Sequence, residues 1–273
     1  MSEAFIALQR LLPQHALSRL IGKLAASEVS WIKRPFIHGF AKAYNVSLND
    51  AARGSLDDYA SFNDFFTREL RPDTRPLSPN PNDILCPADG MLSQCGPIVD
   101  GQLLQAKGRS YSLASLLGSS DPSFTGGSFV TVYLAPSNYH RVHAPMAGTL
   151  THTTAIPGEL FSVNAATEGG VESLFARNER LVCRFATDHG EVAVVLVGAL
   201  IVASIATVWP GPTSPYARLE HNQHQQAFQR GAEIGQFLLG STVIVCFQPG
   251  RAQLDELRAG QHVQMGQRLG TLT

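Results

Sequence analysis

The chain has 273 residues, of which 16% are charged and 44% apolar, and its formal net charge is −1. That length buries a sizeable core in one or two domains, and the low charge with ordinary apolar content excludes a disordered chain. A near-neutral total also excludes the basic signature of a nucleic-acid-binding protein, so no nucleic-acid partner is expected.

The charge is unevenly spread. Residues 1–42 carry six basic side chains (Arg10, Arg19, Lys23, Lys33, Arg34, Lys42) against Glu3 and Glu28, a surplus of +4 that leaves −5 on the rest. A basic end on an acidic body is drawn to anionic surfaces at that end only. Cys86, Cys95, Cys183 and Cys246 form no C-x-x-C pair and follow no secretory signal. Free, mostly buried thiols in a reducing cytosol are expected. The longest apolar run, Val192 to Val202, has 11 residues, short of the roughly 20 that a membrane-spanning helix needs. Any membrane contact is therefore expected to be peripheral.

In chain order, residues 4–43 read as helical. Phe5, Leu8, Leu12, Leu17, Leu20, Ile21 and Leu24 recur at spacings of three and four, with Pro13 kinking or dividing the stretch. Arg10, Arg19 and Lys23 lie between them. The pattern fits a segment lying in a membrane interface, and it fits equally a helical hairpin packed on the body. A short aromatic helix is expected within Asp57 to Leu70, around Phe62, Phe65 and Phe66. Arg71 to Pro76 then reads as a helix-free connector.

These features divide the chain into an N-terminal helical, membrane-interface region with its connector (1–76) and a catalytic body (77–273). From about Ile84 the pattern changes to short β-rich runs separated by Gly and Pro: Phe129–Leu134, Leu181–Phe185, Glu191–Val197, Ile201–Val208 and Thr242–Phe247. Echoes between Pro87–Gly90 and Ala144–Gly148, and between Gly231–Val243 and Gly260–Leu272, read as pseudo-repeated hairpins. The expected fold is α+β, mainly β: a sandwich or barrel-like body preceded by membrane-associating helices. The polar run from Glu220 to Gln229, with His221 and His224, reads as a loop.

Three local patterns carry possible chemistry. Gly240-Ser241 lies at a turn entering a strand, where glycine leaves its carbonyl open to an adjacent hydroxyl. Alone, such a pair is an ordinary turn, as Gly118-Ser119 is expected to be. In Tyr139-His140-Arg141-Val142-His143, two histidines three apart suit proton transfer near neutral pH, but also fit structural roles. No third ligand at zinc spacing accompanies them, so no metal is expected. Asp89 in Pro87-Ala88-Asp89-Gly90 is a turn former or an orienting carboxylate.

Taken together and in order, these segments resemble the proteobacterial type of phosphatidylserine decarboxylases. The matching stretches are Phe62-Asn63-Asp64-Phe65-Phe66, Pro87 to Gly90, Leu104 to Gly108, Tyr139 to His143, Pro157 to Asn164, Leu174 to Arg180, and Gly235-Gln236-Phe237 with Leu239 to Val243. They cover nearly the whole chain.

The resemblance implies a proenzyme in which Asp89, His143 and Ser241 form a self-cleavage triad acting at the Gly240–Ser241 bond. His143 would take the Ser241 hydroxyl proton and the oxygen would attack the Gly240 carbonyl. β-Elimination from the ester would leave a dehydroalanine that hydrolyses to a pyruvoyl group. The products would be a β chain, 1–240, and an α chain, 241–273, held as a heterodimer and expected to assemble further into a homo-oligomer.

The covalent pyruvoyl cofactor would form a Schiff base with phosphatidylserine, release carbon dioxide and yield phosphatidylethanolamine. The resemblance also implies His140 as a proton-transfer residue in decarboxylation and Ser162 as a substrate-pocket residue. The lipid substrate places the enzyme on the cytoplasmic face of the cell membrane.

A serine hydrolase with the same three residues would be expected to carry a G-x-S-x-G elbow, which is absent around Ser241. A lipoyl-like carrier needs a lysine at the hairpin tip that instead holds Gly240-Ser241. A relative decarboxylating another amine stays open on these residues alone, although the basic amphipathic N-terminus favours a lipid.

Overall fold

The computed structural model describes Gln9 and residues 14–199, 205–212, 214–238 and 241–273. Two helices, α1 (Gln14–Ala25) and α2 (Ser30–Ala43), precede the short aromatic helix α3 (Phe62–Phe66). Phe5, Leu8, Leu12 and Pro13 of the predicted helical stretch lie outside the described residues. Ser61 caps α3 by accepting from the Asp64 amide. Phe62, Phe65 and Phe66 are fully buried, with Phe36 stacked on Phe62 at 4.1 Å and Phe40 edge-on to all three. These residues, with Ala25, Ile37, Ala41 and Tyr59, make a small core of their own. The connector from Arg71 to Pro76 is helix-free, as expected.

The body is built from β1 (Asp83–Leu85), β2 (Gly90–Pro97), β3 (Gln102–Ala106), β4 (Arg109–Ser112), β5 (Ser128–Leu134), β6 (Arg141–His143), β7 (Gly148–Ile156) and β8 (Arg180–Thr187). It continues with β9 (Gly190–Val197), β10 (Ile205–Thr207), β11 (Glu220–Phe228), β12 (Glu233–Phe237), β13 (Ser241–Phe247), β14 (Ala252–Leu254), β15 (His262–Val263) and β16 (Arg268–Leu272). An eight-stranded sheet runs β11-β7-β8-β9-β13-β5-β2-β15, every pair antiparallel. Two three-stranded sheets, β10-β12-β6 and β1-β16-β14, and the β3–β4 hairpin complete it.

The central strands are apolar without alternation because both faces of the large sheet are covered. On β13, Val243, Val245 and Phe247 enter one core with Val130, Val132, Leu181, Val194 and Phe237. Ile244 and Cys246 enter the other with Phe129, Val182, Val195, Phe175 and Leu116. The result is a layered, mainly β body, and no sheet closes into a barrel among the described residues.

Four of the five predicted strand runs fall within observed strands. Of Ile201–Val208, Ile205–Thr207 is a strand, and residues 201–204 lie outside the described residues. All four cysteines are free, and three are buried. The predicted loop around His221 and His224 is instead the nine-residue strand β11. It escapes an apolar-alternation reading because it is an edge strand with both faces largely wet. Its hold comes from pairing with β7 and from polar cross-strand contacts, Thr154 Oγ1 to His221 Nδ1 (3.1 Å) and Thr153 Oγ1 to His224 Nε2 (2.9 Å).

Two turns that echo each other in sequence are neighbours in space. The His143 amide donates to the Pro87 carbonyl at 2.8 Å, and the Leu85 amide to the Pro145 carbonyl at 2.9 Å. The segments carrying Asp89 and His143 are thereby pinned side by side.

Candidate active site

Ser241 opens β13, the strand with β5 on one side and β9 on the other. By strand alternation its side chain shares the face of Val243 and Val245. It is fully buried, and its Oγ has no hydrogen-bond partner among the described residues. A buried hydroxyl left unbonded is costly, and Thr242 Oγ1, the next residue on the strand, shares that state among the described residues. Leu239 and Gly240, the other side of the expected scissile bond, lie outside the described residues.

Ser241 pairs with Leu134 at the end of β5, and the next residue, Ala135, anchors His140. The His140 Nε2–H donates to the Ala135 carbonyl at 3.1 Å, while its ring stacks on Phe66 at 3.9 Å. That bond fixes the tautomer and leaves Nδ1 as a buried lone pair without a partner among the described residues. Burial, then the nearby Arg68 charge, pushes the His140 pKa down to about 3. His140 is therefore a neutral acceptor at physiological pH. A hydroxyl lacking an acceptor and an imidazole lacking a donor thus flank the same strand end.

His143 is held differently. Its Nδ1–H donates to the Gly231 carbonyl at 2.8 Å, and its Nε2 accepts from the Tyr139 hydroxyl at 2.9 Å. Burial lowers its pKa, opposed by the Gly231 carbonyl and by the charges of Glu233 and Asp89. Asp89 is almost fully buried, but its partners are others. Arg75 Nε donates to its Oδ1 at 2.9 Å, Arg75 Nη2 to its Oδ2 at 2.6 Å, and the Met265 amide to Oδ1 at 2.8 Å. Arg75 also bonds Asp50 at 2.9 Å, and these contacts hold the guanidinium charge firmly.

Asp89 and His143 therefore lie close enough for their charges to interact, without a hydrogen bond between them. Asp89 and Tyr139 line a polar cavity of about 250 Å³ together with Arg68, Arg75 and Asp50. Ser162 sits half-buried on the loop after β7. Its amide donates to Gln9 Oε1 at 2.7 Å, and no hydrogen bond links it to Asp89, His140, His143 or Ser241.

Residues that sequence reasoning left without a role are central to this arrangement. Tyr139 was visible as part of the histidine motif, and its spacing of four from His143 was the available signal. Arg75 stood in a connector read only for its prolines. Phe66 and Arg68 lie in the stretch from Asp57 to Leu70 read only as holding a short aromatic helix, and nothing in the sequence connects Gly231 to His143. Among the described residues, no group of three His, Cys, Asp or Glu side chains is placed to hold a metal ion.

The family model described as phosphatidylserine decarboxylase matches residues 62–271, and a second, described as PSD, matches residues 4–45. A phosphatidylserine decarboxylase proenzyme of Psychrobacter cryohalolentis is 53% identical over 272 residues, covering 98% of each chain. One of Pseudomonas putida is 51% identical over 280 residues, covering 98% of this chain and 97% of the relative. One of Acinetobacter baumannii is 49% identical over 273 residues, covering 98% and 96%. With one family model matching residues 62–271 and relatives 49–53% identical over nearly the whole chain, the chain belongs to the phosphatidylserine decarboxylase family.

Proposed function

We propose that this chain converts phosphatidylserine to phosphatidylethanolamine and carbon dioxide, after cutting itself between Gly240 and Ser241 to make a pyruvoyl group. The observation that carries the self-cleavage is the Ser241 hydroxyl: fully buried, unbonded, and heading the central strand. A serine in that setting is a precursor residue rather than a resting nucleophile that must stay open to substrate.

Ser241 Oγ attacks the Gly240 carbonyl, shifting the acyl group from nitrogen to oxygen, and its proton goes to His143 Nε2 once the Tyr139 hydroxyl turns away from that nitrogen. Asp89 supports the cation formed on His143 by its charge, since Arg75 and the Met265 amide occupy both its oxygens. β-Elimination releases the β chain (1–240) as a carboxylate. The dehydroalanine left on residue 241 tautomerises and loses ammonia to water, which blocks the α chain (241–273) with the pyruvoyl group. The two chains stay together because β13 remains paired with β5 and β9.

The pyruvoyl group supplies an electron sink for the carbanion left when carbon dioxide departs. The residues present suit it, because the position is dry and His140 offers a lone pair beside it with no donor already in place. His140 Nδ1 would take the proton that the lipid's ammonium gives up on binding and return it to the decarboxylated carbon, with its ring held against Phe66. Ser162 is assigned to the pocket.

The lipid is met at a membrane surface by the N-terminal helices. Leu20, Leu24, Val29 and Trp31 are exposed next to Arg19, Lys23 and Arg34, the mixture that binds an anionic interface. No helix of the described residues is long and apolar enough to cross a membrane.

Intact mass and denaturing electrophoresis test the reading. Wild type should give two chains, the smaller of 33 residues and resistant to N-terminal sequencing, and Ser241→Ala should stay whole. His143→Ala should slow or stop cleavage, whereas His140→Ala should cleave and lose decarboxylation. Active wild-type protein consisting of one uncut chain would refute the mechanism.

A further inference from the structure

Three successive backbone N–H groups in the loop after β7 donate to side-chain amide oxygens, and two of those amides come from the N-terminal segment. Leu160 N–H donates to Gln14 Oε1 at 2.8 Å, Phe161 N–H to Asn178 Oδ1 at 3.1 Å, and Ser162 N–H to Gln9 Oε1 at 2.7 Å. The alternation is that of a strand, with residues 160 and 162 facing the N-terminal segment and residue 161 facing the body. Asn178 closes the body side by donating to the carbonyls of Phe161 (2.8 Å) and Gly198 (2.9 Å). The glutamines stand in for a missing neighbouring strand.

Their amide nitrogens are engaged as well. Gln14 Nε2 donates to the Gln9 carbonyl at 2.8 Å, and Gln9 Nε2 reaches Thr167 Oγ1 at 3.5 Å. Gln9 is 1% exposed, unusual for a residue type that mostly stays in water. A buried carboxamide is tolerated only when its oxygen and nitrogen are both bonded, so the pair is specified by the loop and not by a greasy surface.

We propose that Gln9 and Gln14 are positioning residues of the substrate pocket, holding the Leu160–Ser162 backbone in place from the N-terminal segment; this rests on Ser162 being a pocket residue. The N-terminal segment then has two separable jobs. Its outward face, with Leu20 and Leu24, meets lipid, and its inward glutamines shape the site. Loss of the glutamines should impair turnover even for a substrate presented without a membrane.

The test uses the full-length, self-processed protein with Gln9→Ala, Gln14→Ala and the double variant. Hydrogen exchange of the peptide spanning 160–167 should quicken by roughly tenfold in the double variant, the loss of two hydrogen bonds being felt locally. Turnover of a short-chain, water-dispersed phosphatidylserine should fall through a raised KM, while chain cleavage and liposome co-sedimentation stay at wild-type levels. Gln14→Glu keeps the accepting oxygen and should retain protection at Leu160. Unchanged exchange in the double variant overturns the proposal and leaves Ser162 as it stands. Faster exchange with unchanged turnover also overturns it if Ser162→Ala impairs turnover. If Ser162→Ala turns over normally, the pocket assignment itself falls and takes the proposal with it.

Discussion

The hydrogen bonds divide Asp89, His143 and Ser241, the three residues that the motifs group together. His143 takes its orientation from a main-chain carbonyl and a tyrosine, and Asp89 is clamped by Arg75. Asp89 thus contributes charge, and the Gly231 carbonyl fixes the tautomer. His140 has a measurable signature of its own. A histidine whose folded pKa lies near 3, against roughly 6.5 unfolded, binds its proton in the unfolded chain first. Its contribution to stability is complete above about pH 6.5 and is lost as pH falls toward 3. His143, also shifted down by burial, acts in the same direction. Between pH 6.5 and 5, His140 alone should cost about 2 kcal/mol. Urea denaturation of the uncut Ser241→Ala chain at the two pH values measures it. Adding His140→Phe should remove most of that difference, and an undiminished slope would mean the acid sensitivity lies elsewhere.

At the level of elements, Asp89-Gly90 shows what a local motif conceals. The pair reads as a turn, for which glycine supplies a positive φ. Gly90 is instead the first residue of β2, and it is glycine because of close approach. A Cβ there would run into the Tyr133 carbonyl of β5 and come within 2.9 Å of Val132 Cγ1. Gly90→Ala should push β2 from β5, moving the adjacent Asp89. The expected loss is about 1–3 kcal/mol, with slower chain cleavage. Gly39→Ala in α2, where no atom lies within 4 Å of the added Cβ, should gain up to about 1 kcal/mol from helix propensity. Thermal melting compares the two, and equal melting points would refute the steric account.

The same contrast explains what was readable in advance. Strands with buried faces, such as β5, β9 and β13, announce themselves by apolar runs. The edge strand β11 does not, because its polar side chains leave no period to read. The family motifs singled out Ser241 and both histidines as candidates. They were silent on Arg75 and Gln9, whose partners lie 14 and 153 residues away in the chain and are brought near only by the fold.

Across the whole molecule, the N-terminal helices join a buried site to a surface. The basic surplus of residues 1–42 is matched by an exposed apolar group: Leu20 at 59%, Leu24 at 41% and Trp31 at 79%. Large side chains left this open on a folded body fit an interaction surface, and the interleaved arginine and lysine residues suit the anionic membrane proposed above. Ser18 and Ala25, on the opposite side of α1, are buried, so the helix is amphipathic toward two different partners. Leu20→Glu with Leu24→Glu should therefore abolish co-sedimentation with anionic liposomes. It should leave chain cleavage intact, since the inward contacts are untouched. Trp31 supplies a direct reading. Its fluorescence should shift to the blue when wild-type protein meets anionic vesicles and stay put with the double variant. High salt should weaken binding, because exposed charges are screened beyond about 10 Å at 0.1 M. An unshifted Trp31 and undiminished binding in the variant would place the lipid contact on another face of the protein.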